Sequence, residues 1–166
     1  MPRLLTLLFA LFLSTAAFAQ SYPDPRGPHV NDYADMLPDE AKDRLNAQLA
    51  EALDEHGAQV AIVTLSEVRF YANDLSVEDY AQGLFDAWGL GTEEASTGVL
   101  FLIFRDDREL RIELGQAYDN AFNLTANGIV NTDILPAFQD GDFEAGIEAG
   151  SAAIVERIVI AHVAPA

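Results

Sequence analysis

The chain contains no cysteine in its 166 residues. That absence excludes a disulfide framework, a thiolate nucleophile, a zinc knuckle and a lipoprotein attachment site. Positive charge is scarce as well: 9 Lys and Arg stand against 27 Asp and Glu, for a formal net charge of −18. Such a surface repels nucleic acid and anionic lipid headgroups, which select for Lys and Arg. It attracts divalent cations or basic protein patches, and it equally serves to keep an exported protein soluble. Catalytic signatures are missing too. His29, His56 and His162 are scattered through a linker, a helix end and the tail, against a histidine phosphatase or a His-rich metal centre. There is no phosphate-cradling G-x-x-x-x-G-K-[ST], no G-x-S-x-G, and no D-x-D running off an apolar strand. The C-terminal IVIAHVAPA, cut off by Glu156 and Arg157, is far short of the roughly 20 residues of a membrane-spanning helix.

What is present begins with a leader. Arg3 supplies a positive charge, Leu4 to Leu13 is an apolar stretch broken only by Thr6, and Ala17-Phe18-Ala19 is the A-x-A pattern of a signal-peptidase site. We expect residues 1–19 to be a Sec signal, cleaved near Ala19-Gln20, and the mature protein to be periplasmic or secreted. Residues 20–30, with Pro23, Pro25 and Pro28 beside Gly27, read as an extended Pro-rich linker. A single domain is expected over 31–160, followed by a C-terminal tail over 161–166.

Within that domain the periods alternate. Pro38 with Asp39 and Glu40 opens a helix whose stripe is Leu45, Leu49, Ala52 and Leu53, and Gly57 ends it. VAIVTL at 60–65 and VLFLIF at 99–104 are short, apolar and β-branched or aromatic, as buried strands are. Between them Ser76 and Asp79 form a capping-box variant ahead of Val77, Tyr80, Ala81, Leu84, Phe85 and Trp88, with Gly89 as the stop. Strand, helix and strand make a right-handed crossover, so the two strands should be parallel. RELRIELG at 108–115 alternates with period 2: Leu110, Ile112 and Leu114 face inward, Arg111 and Glu113 outward, in a hairpin with its predecessor. Two more helices follow, one bent at Pro136 and one carrying Gly146, Ala149 and Ala153 for close packing.

Five stretches, VNDYADMLP, AQVAIVTL, VEDYAQGLFDAWGLG, TGVLFLIFRDDRELRIELG and NTDILPAFQDGDFEAGI, together resemble the TPM domain family, in its order and over essentially the whole mature chain. The resemblance implies a three-layer α/β/α sandwich around a small mixed sheet, the fold class the periodicity also indicates. It further implies a link to divalent-metal binding, to an acid phosphatase activity and to maintenance of membrane complexes.

Topology sorts the carboxylates. With strands 60–65 and 99–104 running upward, the turn 105–108, the loop 66–75 and Asp32 all come to the upper rim. Asp119 falls at the lower rim, roughly 20 Å away at about 3.4 Å per residue. A helix returning upward brings Asp140 and Asp142 toward the top. Asp32, Asp106 and Asp107 are therefore the candidate metal ligands, and calcium, which takes oxygen donors, is the expected ion. Asp106-Asp107 is also ordinary turn chemistry, and Asp140-Gly141-Asp142 also reads as a loop and N-cap. No base or nucleophile completes a catalytic set. The sequence thus reads as a non-enzymatic, cation-binding exported module that interacts with envelope or membrane proteins. The alternative is a metal-dependent acid phosphatase using the same acids, with Arg108 holding the phosphate.

Overall fold

A computed structural model describes residues 21–72, 74–91 and 96–164. The leader expected over 1–19 and the end of the tail lie outside the described residues. The strands are β1 (Val30–Asp32), β2 (Val60–Leu65), β3 (Val99–Phe104) and β4 (Glu109–Leu114). They form one sheet in the order β1-β2-β3-β4. The first three are parallel and the last is antiparallel, with Val60 beside Val99 and Phe101 beside Ile112. The crossover and the hairpin are therefore as expected. β1 is not: a three-residue strand containing Asn31 and Asp32 has no readable period, and its polar residues are buried only because tertiary partners satisfy them.

Alternation along β2 and β3 divides the core into two halves. Val60, Ile62, Val99, Phe101 and Ile103 face one side. Ala61, Val63, Leu65, Leu100, Leu102 and Phe104 face the other. The first face is covered by α1 (Asp39–His56), α4 (Asn120–Ile129), α5 (Leu135–Gln139) and α6 (Phe143–Ile154). The second is covered chiefly by α3 (Val77–Trp88), preceded by the short α2 (Val68–Tyr71). This is the expected three-layer sandwich.

Helix ends follow local chemistry. Gly57 and Gly89 close α1 and α3 at φ 67° and 59°, left-handed conformations that glycine enters without a Cβ clash. The Ser76 hydroxyl accepts a bond from Asp79 N at 3.0 Å. α4 begins at Asn120, where the Asp119 carboxylate accepts from Ala121 N at 2.8 Å and caps it. Pro136 has no N–H for the carbonyl one turn back, and the helix accommodates this with a π segment, Val130–Ile134, just before it. A second π segment, Val155–Ile160, continues α6 into the short α7 (Ala161–Val163). The close approach expected of Gly146 is real: a Cβ there would lie 2.5 Å from the Phe138 ring.

The proline-rich segment before β1 has no helix or strand of its own, yet it is docked. Tyr22 packs against Tyr80 with the rings tilted and their centroids 5.2 Å apart. It lies so close to α3 that a Cβ on Gly83 would stand 1.8 Å from its hydroxyl. Trp88 Nε1 donates to Pro23 O at 2.8 Å, and Arg26 Nη1 to Asp32 O at 2.9 Å.

Candidate functional site

The upper rim is built where β1, β2 and β3 end. Asp32 closes β1 beside Thr64 and is 7% exposed. A carboxylate at that depth needs donors, and it has three. Oδ1 accepts from Met36 N at 3.0 Å and from the Thr64 hydroxyl, and Oδ2 accepts from Leu37 N at 3.0 Å. Thr64 Oγ1 in turn accepts from Ala34 N at 3.2 Å. Together these bonds fold the loop between β1 and α1 onto the end of β2. They also explain the one hydroxyl in the otherwise apolar VAIVTL.

Arg105 lies at the centre of this rim. Its Nη1 donates to Ala34 O. Nε and Nη2 grip Asp106 through Oδ1 at 2.7 Å and Oδ2 at 3.3 Å. The guanidinium holds the Asp106 carboxyl below the usual carboxylate range, chiefly through that hydrogen bond. Conversely, Asp106 raises the Arg105 pKa first, with the charges of Asp35 and Asp32 adding to the effect. Asp107 is engaged elsewhere: its Oδ2 accepts from Val68 N at 2.7 Å and so fixes the start of α2.

Three side chains on the rim point outward. Phe70 is 63% exposed, and the Arg69 guanidinium lies 4.7 Å from its ring centroid. Arg108 is exposed at the hairpin tip with φ 56°, a left-handed conformation uncommon outside glycine, asparagine and aspartate.

Asp32, Asp106 and Asp107 thus share one rim, as the topology implied, but each is committed to different donors. Asp142 caps α6 through Ala145 N at 3.1 Å. Among the described residues no three acids or histidines are close enough to hold an ion together. As arranged, the donors do not fit a divalent cation. The buried carboxylate is filled by amides and a hydroxyl, and the exposed Asp106 is held by a guanidinium.

The sequence pattern had not singled out Arg105, Thr64 or the Arg69–Phe70 pair. Thr64 was detectable as a lone hydroxyl in a buried strand. Arg105 marked only the end of an apolar run: Asp106 is its neighbour in the chain, but Ala34 reaches it solely in the fold.

The histidines lie away from this rim. His29, before β1, is buried with Nδ1 2.9 Å from Val60 O. His56 ends α1, and His162 packs at a tilt against Tyr118, ring centroids 4.7 Å apart. A cleft of about 320 Å³ opens toward the lower rim beside Gln82, Asp86, Gly89, Gly91 and Gly115, and among the described residues lining it the one acid, Asp86, is bonded to Gln82 at 3.1 Å.

Comparison with known proteins completes the picture. Residues 30–157 match the family described as the TPM domain. No curated protein matches the chain. Among solved structures, the N-terminal domain of a protein from P. gingivalis is similar with TM-score 0.69 and 26% identity, covering 79% of this chain and 80% of that one. The N-terminal domain of the cg2496 protein from Corynebacterium glutamicum gives 0.62 at 14% identity, over 87% and 88% of the two chains. The BA42 protein from the psychrophilic bacterium Bizionia argentinensis gives 0.64 at 15%, over 78% and 86%. The last two likenesses are of fold alone.

Proposed function

The chain belongs to the TPM domain family, and on that premise we propose that it works as a non-catalytic recognition module. In this reading its upper rim presents Arg69, Phe70 and Arg108 to a protein of the cell envelope. One observation carries the proposal: Phe70 is held 63% exposed on a segment that Asp107 pins through Val68 N. An aromatic ring kept in water on a fixed backbone, with the Arg69 guanidinium over its face and Glu67 paired to that arginine, has the composition of a binding hot spot. The envelope location rests on the leader pattern of residues 1–19.

We assign to Arg105 the part that the acids of this rim would otherwise require of a divalent cation. A guanidinium bonded to Ala34 O and Asp106 balances the Asp106 charge without any ion, while amides and a hydroxyl satisfy Asp32 and Asp107. The phosphatase reading has less support. Beside Asp106 and Asp107 stand a guanidinium and a backbone amide, groups that do not serve as base or nucleophile.

The test is site-specific photo-crosslinking in cells. A crosslinker at position 70 should give one discrete adduct with an envelope protein, unchanged by chelator. One at Glu51, exposed on α1, should not. Turnover of a generic phosphomonoester by the purified protein, lost in Asp106→Ala with Asp107→Ala, would overturn the proposal.

A further inference from the structure

The two outer strands of the sheet are finished differently. β1 is three residues long, follows three prolines, and is shielded by side chains. Asn31 Oδ1 accepts from Arg26 N at 2.7 Å and from Gly27 N at 3.0 Å, while Asn46 Oδ1 accepts from Val30 N at 3.1 Å. β4 is six residues long, has β3 as its one partner in the sheet among the described residues, and contains no proline. A proline-free edge of that length can template another strand, and its charges, Glu109, Arg111 and Glu113, restrict which strand and which register.

The ladder shows which groups of β4 are free. Val99 N and Arg105 N bond to Gln59 O and Leu65 O, so the odd residues of β3 face β2. Gly115 N bonds to Gly98 O, and the alternation then turns Glu113, Arg111 and Glu109 toward β3. The backbone N–H and C=O of Leu110, Ile112 and Leu114 therefore point off the sheet. Beside them a notch of about 100 Å³ runs between Glu78 of α3 and Ala126, Asn127 and Val130 of the helical layer.

We propose that this edge pairs with the same edge of a second copy of the chain, antiparallel about a two-fold axis through Ile112. Only registers that place outward-facing residues opposite one another can form bonds, which leaves two near-central choices. If Leu110 faced the partner's Ile112, Arg111 would oppose Arg111 and Glu109 would oppose Glu113. Both are like-charge pairs, which destabilise directly opposed positions. If Ile112 faces Ile112 and Leu110 faces Leu114, each Arg111 opposes the other copy's Glu113. Those positions are non-hydrogen-bonded pairs, where side chains come closest. Arg111 and Glu113 already lie 2.9 Å apart within one strand, so the pairing extends an existing ion pair into a four-charge cluster across the axis. Leu124 adds an apolar contact on the flank. It is 73% exposed, the most exposed large hydrophobic among the described residues, and shares a helix face with Asn127 of the notch.

Sedimentation of the purified protein from micromolar to millimolar concentration tests this. The unaltered protein should form a dimer. Arg111→Glu should weaken it by about tenfold or more, since two glutamate pairs then oppose each other. Arg111→Glu combined with Glu113→Arg should restore it, because reversal preserves complementarity only in this register. The chain has no cysteine, so mixed Arg111→Cys and Glu113→Cys chains should crosslink to each other on air oxidation, and neither should crosslink alone. A monomer throughout would overturn the proposal. So would a dimer indifferent to Arg111→Glu, a reversal without rescue, or a monomer that takes up a foreign extended peptide at β4.

Discussion

The upper rim and the β4 edge are two answers to the same electrostatic problem in a chain of net charge −18. At the rim, acids find their donors inside the molecule: Asp32 in amides and a hydroxyl, Asp106 in Arg105, Asp107 in the first amide of α2. At the β4 edge, backbone groups and the Arg111–Glu113 pair are arranged in a pattern that a second copy can complete. The contrast explains why a cluster of acids need not be an ion site. What decides is whether the fold supplies the donors, and the spacing of acids along the chain does not report that.

The largest expected effect follows from breaking the rim at its deepest point. Asp32→Ala leaves Met36 N, Leu37 N and the Thr64 hydroxyl without their acceptor. Bonds to a charged acceptor contribute about 1.5–3 kcal/mol each and are not additive. A loss of about 3 kcal/mol in urea unfolding is expected, and a loss within experimental error would show that the loop is held by other means. Next comes Phe70→Ala. It should abolish binding of the envelope partner while changing stability by less than about 0.5 kcal/mol, as for an exposed substitution. Comparable loss of fold would make Phe70 structural.

Arg108→Gly sharpens the comparison by separating stability from binding. The left-handed backbone at φ 56° costs a non-glycine residue about 1 kcal/mol. The variant should be more stable by about that amount and bind the envelope partner less well. Equal binding would remove Arg108 from the recognition surface. A smaller effect should appear in acid. Arg105 holds the Asp106 carboxyl below its ordinary value, so their pairing contributes fully above about pH 4, the unfolded value. It fades as pH falls through the folded pKa. Both groups are solvent-accessible, so the contribution is modest, and NMR titration of the Asp106 side chain should show it directly. A titration midpoint at the ordinary aspartate value would contradict the pairing.

How far the sequence reports this structure depends on the range of the interactions that stabilise each part. β2, β3 and β4 declare themselves because burial on two faces or one leaves a period. α3 does so because its cap is local, three residues from Ser76 to Asp79. β1 does not, since Asn31 and Asp32 resemble loop residues until Arg26, Gly27, Met36 and Thr64 are in place around them. The π segment before Pro136 follows from a missing N–H that bends a helix in more than one way. For the site, the shared rim of Asp32, Asp106 and Asp107 was legible from topology. Their separate commitments were not, because Arg105 meets Ala34 across 71 positions of sequence.

Calcium titration tests the central claim most directly, that Arg105 is the cation of this rim. Backbone and side-chain NMR shifts of Asp32, Asp35, Asp106 and Asp107 would be followed in the unaltered protein and in Arg105→Ala, up to millimolar calcium. The account predicts no saturable shift in the unaltered protein and, in the variant, at most a weak unsaturated shift confined to Asp106, the one acid that loses its guanidinium. Saturable calcium binding by the unaltered protein, with stabilisation lost in Asp106→Ala with Asp107→Ala, would contradict it and return the rim to a metal site.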